Sequence, residues 1–431
     1  MKSYKSLLLC SALSGLLFTA CNSETEKKAP TESPKTTEYK PFPFKLPKEK
    51  PAQPLSRAME RNYDTYKASR PEDNELYTQF KYTELKGFDY NNHDGTISRR
   101  DPSKVIFENG KYYVYYTYRE TETSPKGAKA STETIPSADW DLAEIWYATS
   151  EDGFTWEEQG VAIPRPPKPQ LGHRSVSTAD ILKWNGKFYM YYQGFSEASG
   201  TRGDDCPVLM SYADSPDGPW TPTNKVVIPN GPKDTWDQYS IHDPYPLVHN
   251  GKIYLYYKSD FDGQPDLVRM QGLAIATDPA GPFTKSPLNP VLASGHETTM
   301  FPFKEGIAAL TIRDGNEHYT VQYAEDGENF DVAAIVELMP AAAGPFIPDA
   351  FTDTDYGRGI TWGLSHFTNA TTWAQNHAVL VRFDCDLSLD VNDPAMKKHH
   401  VYHRPDVYYR QGLGQKQRER IAKENEALRN K

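Results

Sequence analysis

A short hairpin signature recurs four times along the chain and leaves little freedom in what it can fold into. The sequence reads ENGKYYVYYTY from residue 108, WNGKFYMYYQG from 184, HNGKIYLYYKS from 249, and the weaker KEGIAALTI from 304. Asn-Gly between apolar runs favours a two-residue turn whose positive φ angles match the twist of paired strands, so each copy predicts a β-hairpin. A second pattern alternates with it: IWYATSEDGFTW from 145, VLMSYADSPDGPW from 208, GLAIATDPAGPF from 272 and YTVQYAEDGENF from 319. Two alternating hairpins make a four-stranded unit, and units returning at Gly110, Gly186, Gly251 and Gly306 predict propeller blades. A further unit over 360–389 gives the expectation of an all-β, five-bladed β-propeller spanning 88–392. The repeat is too long for a β-helix rung, and a sandwich gives no reason for one hairpin to recur behind an aspartate.

The rest of the chain is read by composition. Lys2, Lys5, an apolar run from Leu7 to Phe18 and then Thr-Ala-Cys predict a lipoprotein signal over 1–20 with Cys21 as the lipidated residue, and hence a bacterial cell-envelope location. Residues 21–54, rich in Lys, Glu, Thr and Pro, read as a disordered tether. Over 55–87 a helical hairpin is expected, its first helix capped by Ser56 and running to Pro71, its second over 72–80. A charged helix from about Gln415 closes a C-terminal tail over 393–431. His399, His400 and His403 in that tail could bind a metal or lie solvated or in a subunit contact. Cys206 and Cys385 could pair or remain free thiols. A formal net charge of −10 argues against nucleic acid, and 28 tyrosines suit half-buried strands and sugar stacking.

Aspartates in front of the repeated strands carry the chemistry. Innermost propeller strands deliver their first residues to one funnel, which makes Asp101, Asp180 and Asp243 candidates. Gathering carboxylates around one cavity costs repulsion, and glycoside hydrolysis has a use for it: one group protonates the leaving oxygen while a carboxylate activates water or attacks carbon. A calcium site is the competing use. Asp101 lies behind Arg99 and Arg100, which would keep it ionised as a base. Asp243 repeats the Asp-Pro step beside His242, while Asp180 lacks the proline and reads as structural. For an acid, the segment SGHETTMFPF offers His296 or Glu297, and the residues do not choose between them. Residues 121–142 form an insertion whose Trp140 is a candidate stacking platform.

With these motifs in place the chain resembles the glycoside hydrolase clan of families 43 and 117, and more particularly family 117, the α-1,3-neoagarooligosaccharide hydrolases. Ser56, Ala58 and Arg61 match its S-x-A-x-x-R helix motif, and the run ending at Gln193 and the Gly295-His296-Glu297 segment are similar to it. The resemblance implies Asp101 as general base, His296 as general acid, Asp243 as the residue tuning and orienting the acid, and Glu297 in support. It implies sugar contacts from Thr178, Gln193 and Trp140, with Arg100 and His242 beside the two Asp-Pro aspartates as further substrate contacts. The implied reaction is exo release of 3,6-anhydro-L-galactose from neoagarobiose and longer neutral oligosaccharides, with inversion. The implied assembly is a homodimer exchanging residues 55–87. No cofactor is required for such chemistry, although one structural divalent cation is allowed, its ligands unassigned. The alternatives are a family 43-like arabinosidase or xylosidase, an exo-glycosidase for another red-algal galactan, or a non-catalytic glycan-binding lipoprotein.

Overall fold

A computed structural model describes residues 39–64, 74–88, 94–201, 206–259, 269–312, 314, 317–352, 356–369 and 377–389, with Lys423, Glu426 and Ala427 beyond them in helical conformation. The expected signal, Cys21, the histidines 399, 400 and 403 and most of the C-terminal helix lie outside these residues.

The described fold is all-β. The chain forms β1 (Lys81–Glu84), β2 (Ile97–Arg100), β3 (Ile106–Glu108), β4 (Lys111–Glu120), β5 (Glu144–Ser150) and β6 (Glu157–Ile163). Next come β7 (Ser175–Trp184), β8 (Lys187–Phe195), β9 (Val208–Ala213) and β10 (Thr221–Pro222), then β11 (Ile241–His249), β12 (Lys252–Ser259), β13 (Gln271–Ala276) and β14 (Thr284–Lys285). The last group is β15 (Thr299–Lys304), β16 (Gly306–Thr311), β17 (Thr320–Ala324), β18 (Asp331–Ile335), β19 (Gly344–Pro345), β20 (Gly357–Asn369) and β21 (His377–Ser388). They pair into four sheets: β2-β4-β5-β6 with β3 on β4, β7 to β10, β11 to β14, and an eight-stranded sheet ordered β1-β21-β20-β15-β16-β17-β18 with β19 on β20. The two parts of the large sheet meet through the pairs Phe303–Arg358 and Lys304–Gly357. Strand β4 packs against β7, β7 against β11, β11 against β15, β15 against β20, and β20 and β21 against β2. This circuit of neighbouring sheets is propeller-like.

The turns explain the sheets. Asn109 and Gly110 lie at φ 51° and 80°, Asn185 and Gly186 at 50° and 78°, Asn250 and Gly251 at 50° and 66°, as a two-residue turn with positive φ at both centres requires. In the weak copy Phe303 pairs with Gly306, so the turn is Lys304-Glu305, one residue earlier than the Glu-Gly reading, with Lys304 at φ 48°.

The repeated tyrosines are buried ties rather than a stacking surface. Tyr115 donates to the Pro216 carbonyl at 2.6 Å, Tyr191 to that of Pro279 at 2.7 Å and Tyr256 to that of Gly327 at 2.7 Å. Each occupies the same place in its hairpin copy, and each reaches the turn after the third strand of the following repeat. The rings are fully buried.

Residues before β1 depart from expectation. Ser56 does cap a helix, accepting from the Met59 N–H at 3.3 Å, but that helix, α1, is only Arg57–Glu60. Of the second expected helix, residues 74–80 are turn and extended chain, and they lead into β1, which pairs Lys81 with Asp384 in antiparallel register. Among the described residues the expected helical hairpin is one helical turn and a strand. The tether boundary moves too. Phe42 is buried beside Trp236, whose N–H donates to the Phe42 carbonyl at 3.0 Å, and Leu46 packs on the same cluster. Averaged composition hid these apolar side chains among prolines and lysines. Cys206 and Cys385 are free thiols.

Replacing Tyr191 by Phe keeps the ring and removes the O–H that serves the buried Pro279 carbonyl. Urea unfolding should show a loss of about 1–3 kcal/mol with an unchanged m-value; an unshifted midpoint would mean that the tie contributes nothing.

Candidate active site

The site is built at interruptions in the first strand of successive sheets. Strand β2 stops at Arg100 and β3 resumes at Ile106; in β7 the register slips between Ser177 and Asp180, and in β11 between His242 and Tyr245. The residue turned inward at each break is Asp101, Thr178 and Asp243, at φ 50°, 48° and 46°. Glu297, just before β15, is a fourth at φ 57°. Left-handed backbone costs non-glycine residues roughly 1–3 kcal/mol each and gathers at functional sites. All four line one cavity, together with Arg100, Trp140, Gln193, His242 and His296. The candidate site residues in the described chain thus meet at one place.

Asp101 is buried and densely held. Its carboxylate receives Arg100 Nε at 2.8 Å and Nη2 at 3.2 Å, and the Thr178 hydroxyl at 3.2 Å. His366 Nδ1 is 3.3 Å from its Oδ1 and accepts the Asp101 backbone N–H at 3.1 Å. Burial alone would push this carboxyl up, but the opposing pull, led by the Arg100 guanidinium, outweighs it and holds it well below the usual carboxylate range. Arg100 is itself fastened by Asp139 at 3.3 Å and lies 4.8 Å from the centre of the Trp140 ring. The insertion that carries Trp140 is thereby bound to the Asp101 loop.

His296 is half-buried, with Nδ1 3.1 Å from Asp314 Oδ2 and Nε2 3.9 Å from Glu297 Oε1. Its hydrogen bond to Asp314, with Arg269 at 2.9 Å adding and burial opposing, holds the Asp314 carboxyl well below its ordinary range. Gly295 makes this approach possible: a Cβ there would stand 2.2 Å from the Arg269 carbonyl oxygen. Asp243 pairs with Lys258 at 3.1 Å. Gln193 donates to Cys206 Sγ at 3.4 Å. The cavity therefore combines an ionised carboxylate with a carboxylate-oriented imidazole, the two kinds of group that single-displacement hydrolysis needs.

A structure of a family 117 glycoside hydrolase from the marine bacterium Zobellia galactanivorans superposes with a TM-score of 0.72 at 62% identity, covering 79% of this chain and 100% of that one. The chain belongs to glycoside hydrolase family 117. The profile described as Glycosyl hydrolases family 43 also matches residues 134–273. Another structure, titled glycoside hydrolase, is 12% identical with a TM-score of 0.50 over 70% of this chain and 92% of that one, and shares the fold. No curated protein sequence matches. The protein is thus a glycoside hydrolase of family 117, and its cavity is read as that of one.

Some site residues were not legible in this family 117 sequence. His366, fully buried on β20, and Asp314 were missed, as were Lys258 and Asp139. Asp180 has the structural role expected of it: buried, it receives Lys104 Nζ at 2.6 Å. Its repeat equivalent is a correction, because the residue matching Asp101 and Asp243 is Thr178, two positions earlier. Arg99 is another: strand alternation turns it away from Asp101 onto Glu158, at 2.8 Å through both contacts.

Among the described residues, one group of three ligand-type side chains converges, Asp101, Glu297 and His366, with their ligand atoms within 4.8 Å of one another. An ion there would have to displace the guanidinium of Arg100, which holds both Asp101 oxygens and lies 3.8 Å from Glu297 Oε1. For His366, burial lowers the ring's affinity for a proton and the two carboxylates raise it, with a net upward shift.

Because the folded Asp101 carboxyl is depressed, its contribution to stability is present above the unfolded value near pH 4 and fades as pH falls from there toward the folded one. The stability gap between the wild type and Asp101→Asn should accordingly be full at neutral pH and clearly smaller at about pH 3 in urea titrations. A gap that widens on acidification would contradict this ionisation.

Proposed function

We propose that this chain is an exo-acting, inverting hydrolase that releases 3,6-anhydro-L-galactose from the non-reducing end of neoagarobiose and longer neoagarooligosaccharides. The observation that carries the reading is His296, set at the cavity with Asp314 on its Nδ1 so that Nε2 is left to donate a proton. Asp101, ionised beside Arg100, takes a proton from water as that water attacks the anomeric carbon; His296 protonates the departing glycosidic oxygen. One displacement gives inversion. Asp243, paired with Lys258, orients the acid side, and Glu297 supports His296 at 3.9 Å. Trp140 stacks on the sugar, while Thr178, Gln193, Arg100 and His242 hold its oxygens.

A neutral sugar suits the charge pattern. The three basic side chains at the cavity, Arg100, Lys258 and Arg269, each carry a carboxylate partner, Asp101, Asp243 and Asp314. A sulfated or carboxylated ring would compete with those pairs.

In the same reading the eight-stranded sheet counts as two blades joined by the two register pairs between β15 and β20, giving five in all. The assembly is a homodimer that exchanges residues 55–87; the contacts Arg61 makes within this chain, to Glu317 at 2.8 Å and the Phe330 carbonyl at 2.6 Å, mark the surface such a segment docks on. The lipid anchor on Cys21 holds the enzyme at the cell envelope, where it trims oligosaccharides.

Incubating the protein with neoagarobiose, and in parallel with carrageenan and porphyran oligosaccharides, tests the substrate through the released sugar and its first-formed anomer. Release of 3,6-anhydro-L-galactose from neoagarobiose is expected; turnover confined to another galactan would reassign the substrate. His296→Gln should lower kcat by about 100-fold or more, and a fully active variant would remove His296 as the acid.

A further inference from the structure

We infer that His366 is a positioning residue that works as a neutral imidazole with its proton on Nε2, fixing the Asp101 loop through Nδ1 and the His296-Glu297 segment through Nε2–H, and that it is not a metal ligand. The inference rests on the reading of Asp101 and His296 as base and acid. Its starting point is the Asp101 backbone N–H, which donates to Nδ1 at 3.1 Å. That bond needs a lone pair on Nδ1, so a neutral ring must carry its proton on the other nitrogen. Nε2 stands 3.4 Å from Glu297 Oε1, and the ring is fully buried. Nε2 makes no hydrogen bond in the free protein, and catalytic hydrogen bonds often form fully only in the complex with substrate.

The same tautomer decides against ligation. A histidine that binds a metal through one nitrogen ordinarily gives the N–H of the other to an acceptor. Here the other nitrogen accepts the Asp101 N–H at 3.1 Å, with Asp101 Oδ1 3.3 Å away; with that bond made, a neutral ring has no lone pair on Nε2 for an ion. Arg100 supplies the positive charge between Asp101 and Glu297 that a cation would otherwise bring. Asp101 and Glu297, both with left-handed backbone, come from different sheets, and one ring on β20 touches both. Its rigid width sets how far apart the base and acid segments stand. The two carboxylates favour a second proton on the ring, and the Asp101 N–H opposes it, so the protonation state is the decisive measurement.

Long-range proton–nitrogen NMR of protein labelled with nitrogen-15 histidine reads that state at about pH 7, with the His366 signals identified by their loss in His366→Gln. A neutral ring protonated on Nε2 is expected; a proton on Nδ1, or on both nitrogens, overturns the inference. This measurement needs no substrate, so it stands apart from any failure of the proposed activity. On whichever oligosaccharide the protein hydrolyses, His366→Leu should lower kcat about 100-fold with little change in KM, the cost of a small misplacement of reacting groups. His366→Gln, whose carbonyl can accept from Asp101 and whose amide can donate to Glu297, should recover most of that loss. A glutamine variant as inactive as the leucine variant overturns the positioning role, and activity lost to EDTA and restored by a divalent ion overturns the exclusion of a metal.

Discussion

A tyrosine hydroxyl reaching a carbonyl of the next repeat fastens each of the first three hairpins to its successor. A sheet with one buried face gains little from its own ladder alone; it needs a neighbour, and a buried phenol obliges that neighbour to lie at one distance because its O–H must find an acceptor. Tyr115, Tyr191 and Tyr256 make this demand at equivalent places, with bonds of 2.6 to 2.7 Å. The inner strands are then held in a circuit, and the breaks in β2–β3, β7 and β11 open onto the same space.

Within that space Arg100 couples parts that would otherwise move separately. It clamps Asp101, is held by the buried Asp139 and underlies Trp140. The guanidinium fork suits this better than an ammonium would, since it can serve two carboxylates and a ring face at once. Trp140 and Asp101 are thereby fixed to one rigid element, the Arg100 guanidinium.

What the sequence made legible follows from how local each signal is. Asn-Gly turns announce themselves in two residues, and the hairpins predicted from them lie where expected, in a propeller-like all-β chain. Asp101, Asp243 and the His296-Glu297 pair were found because each sits beside a strand start with a recognisable neighbour. His366 carries no such mark: it is one of several polar residues in β20, between Ser365 and Phe367, and its meaning comes from Asp101, far away in the chain. Asp314 was hidden in a turn for the same reason. Thr178, not Asp180, is the repeat equivalent of Asp101 and Asp243 because a bulge inserts residues that matching aspartates by letter cannot see. The segment before β1 misled because its composition favours a helix, whereas the described residues 74–80 are turn and irregular chain that deliver β1 to an open sheet edge.

That edge is β21, and its partner β1 comes from roughly 300 residues earlier in the chain, among the most distant contacts a domain can use and the slowest to form. During synthesis the Lys81–Glu84 segment emerges long before the strand it pairs with, and must wait unpaired while the sheets between are made. Completion of the fold is thus reserved for a nearly full-length chain, and a product truncated before residue 377 would leave an early strand without its sheet, a segment for quality control to recognise.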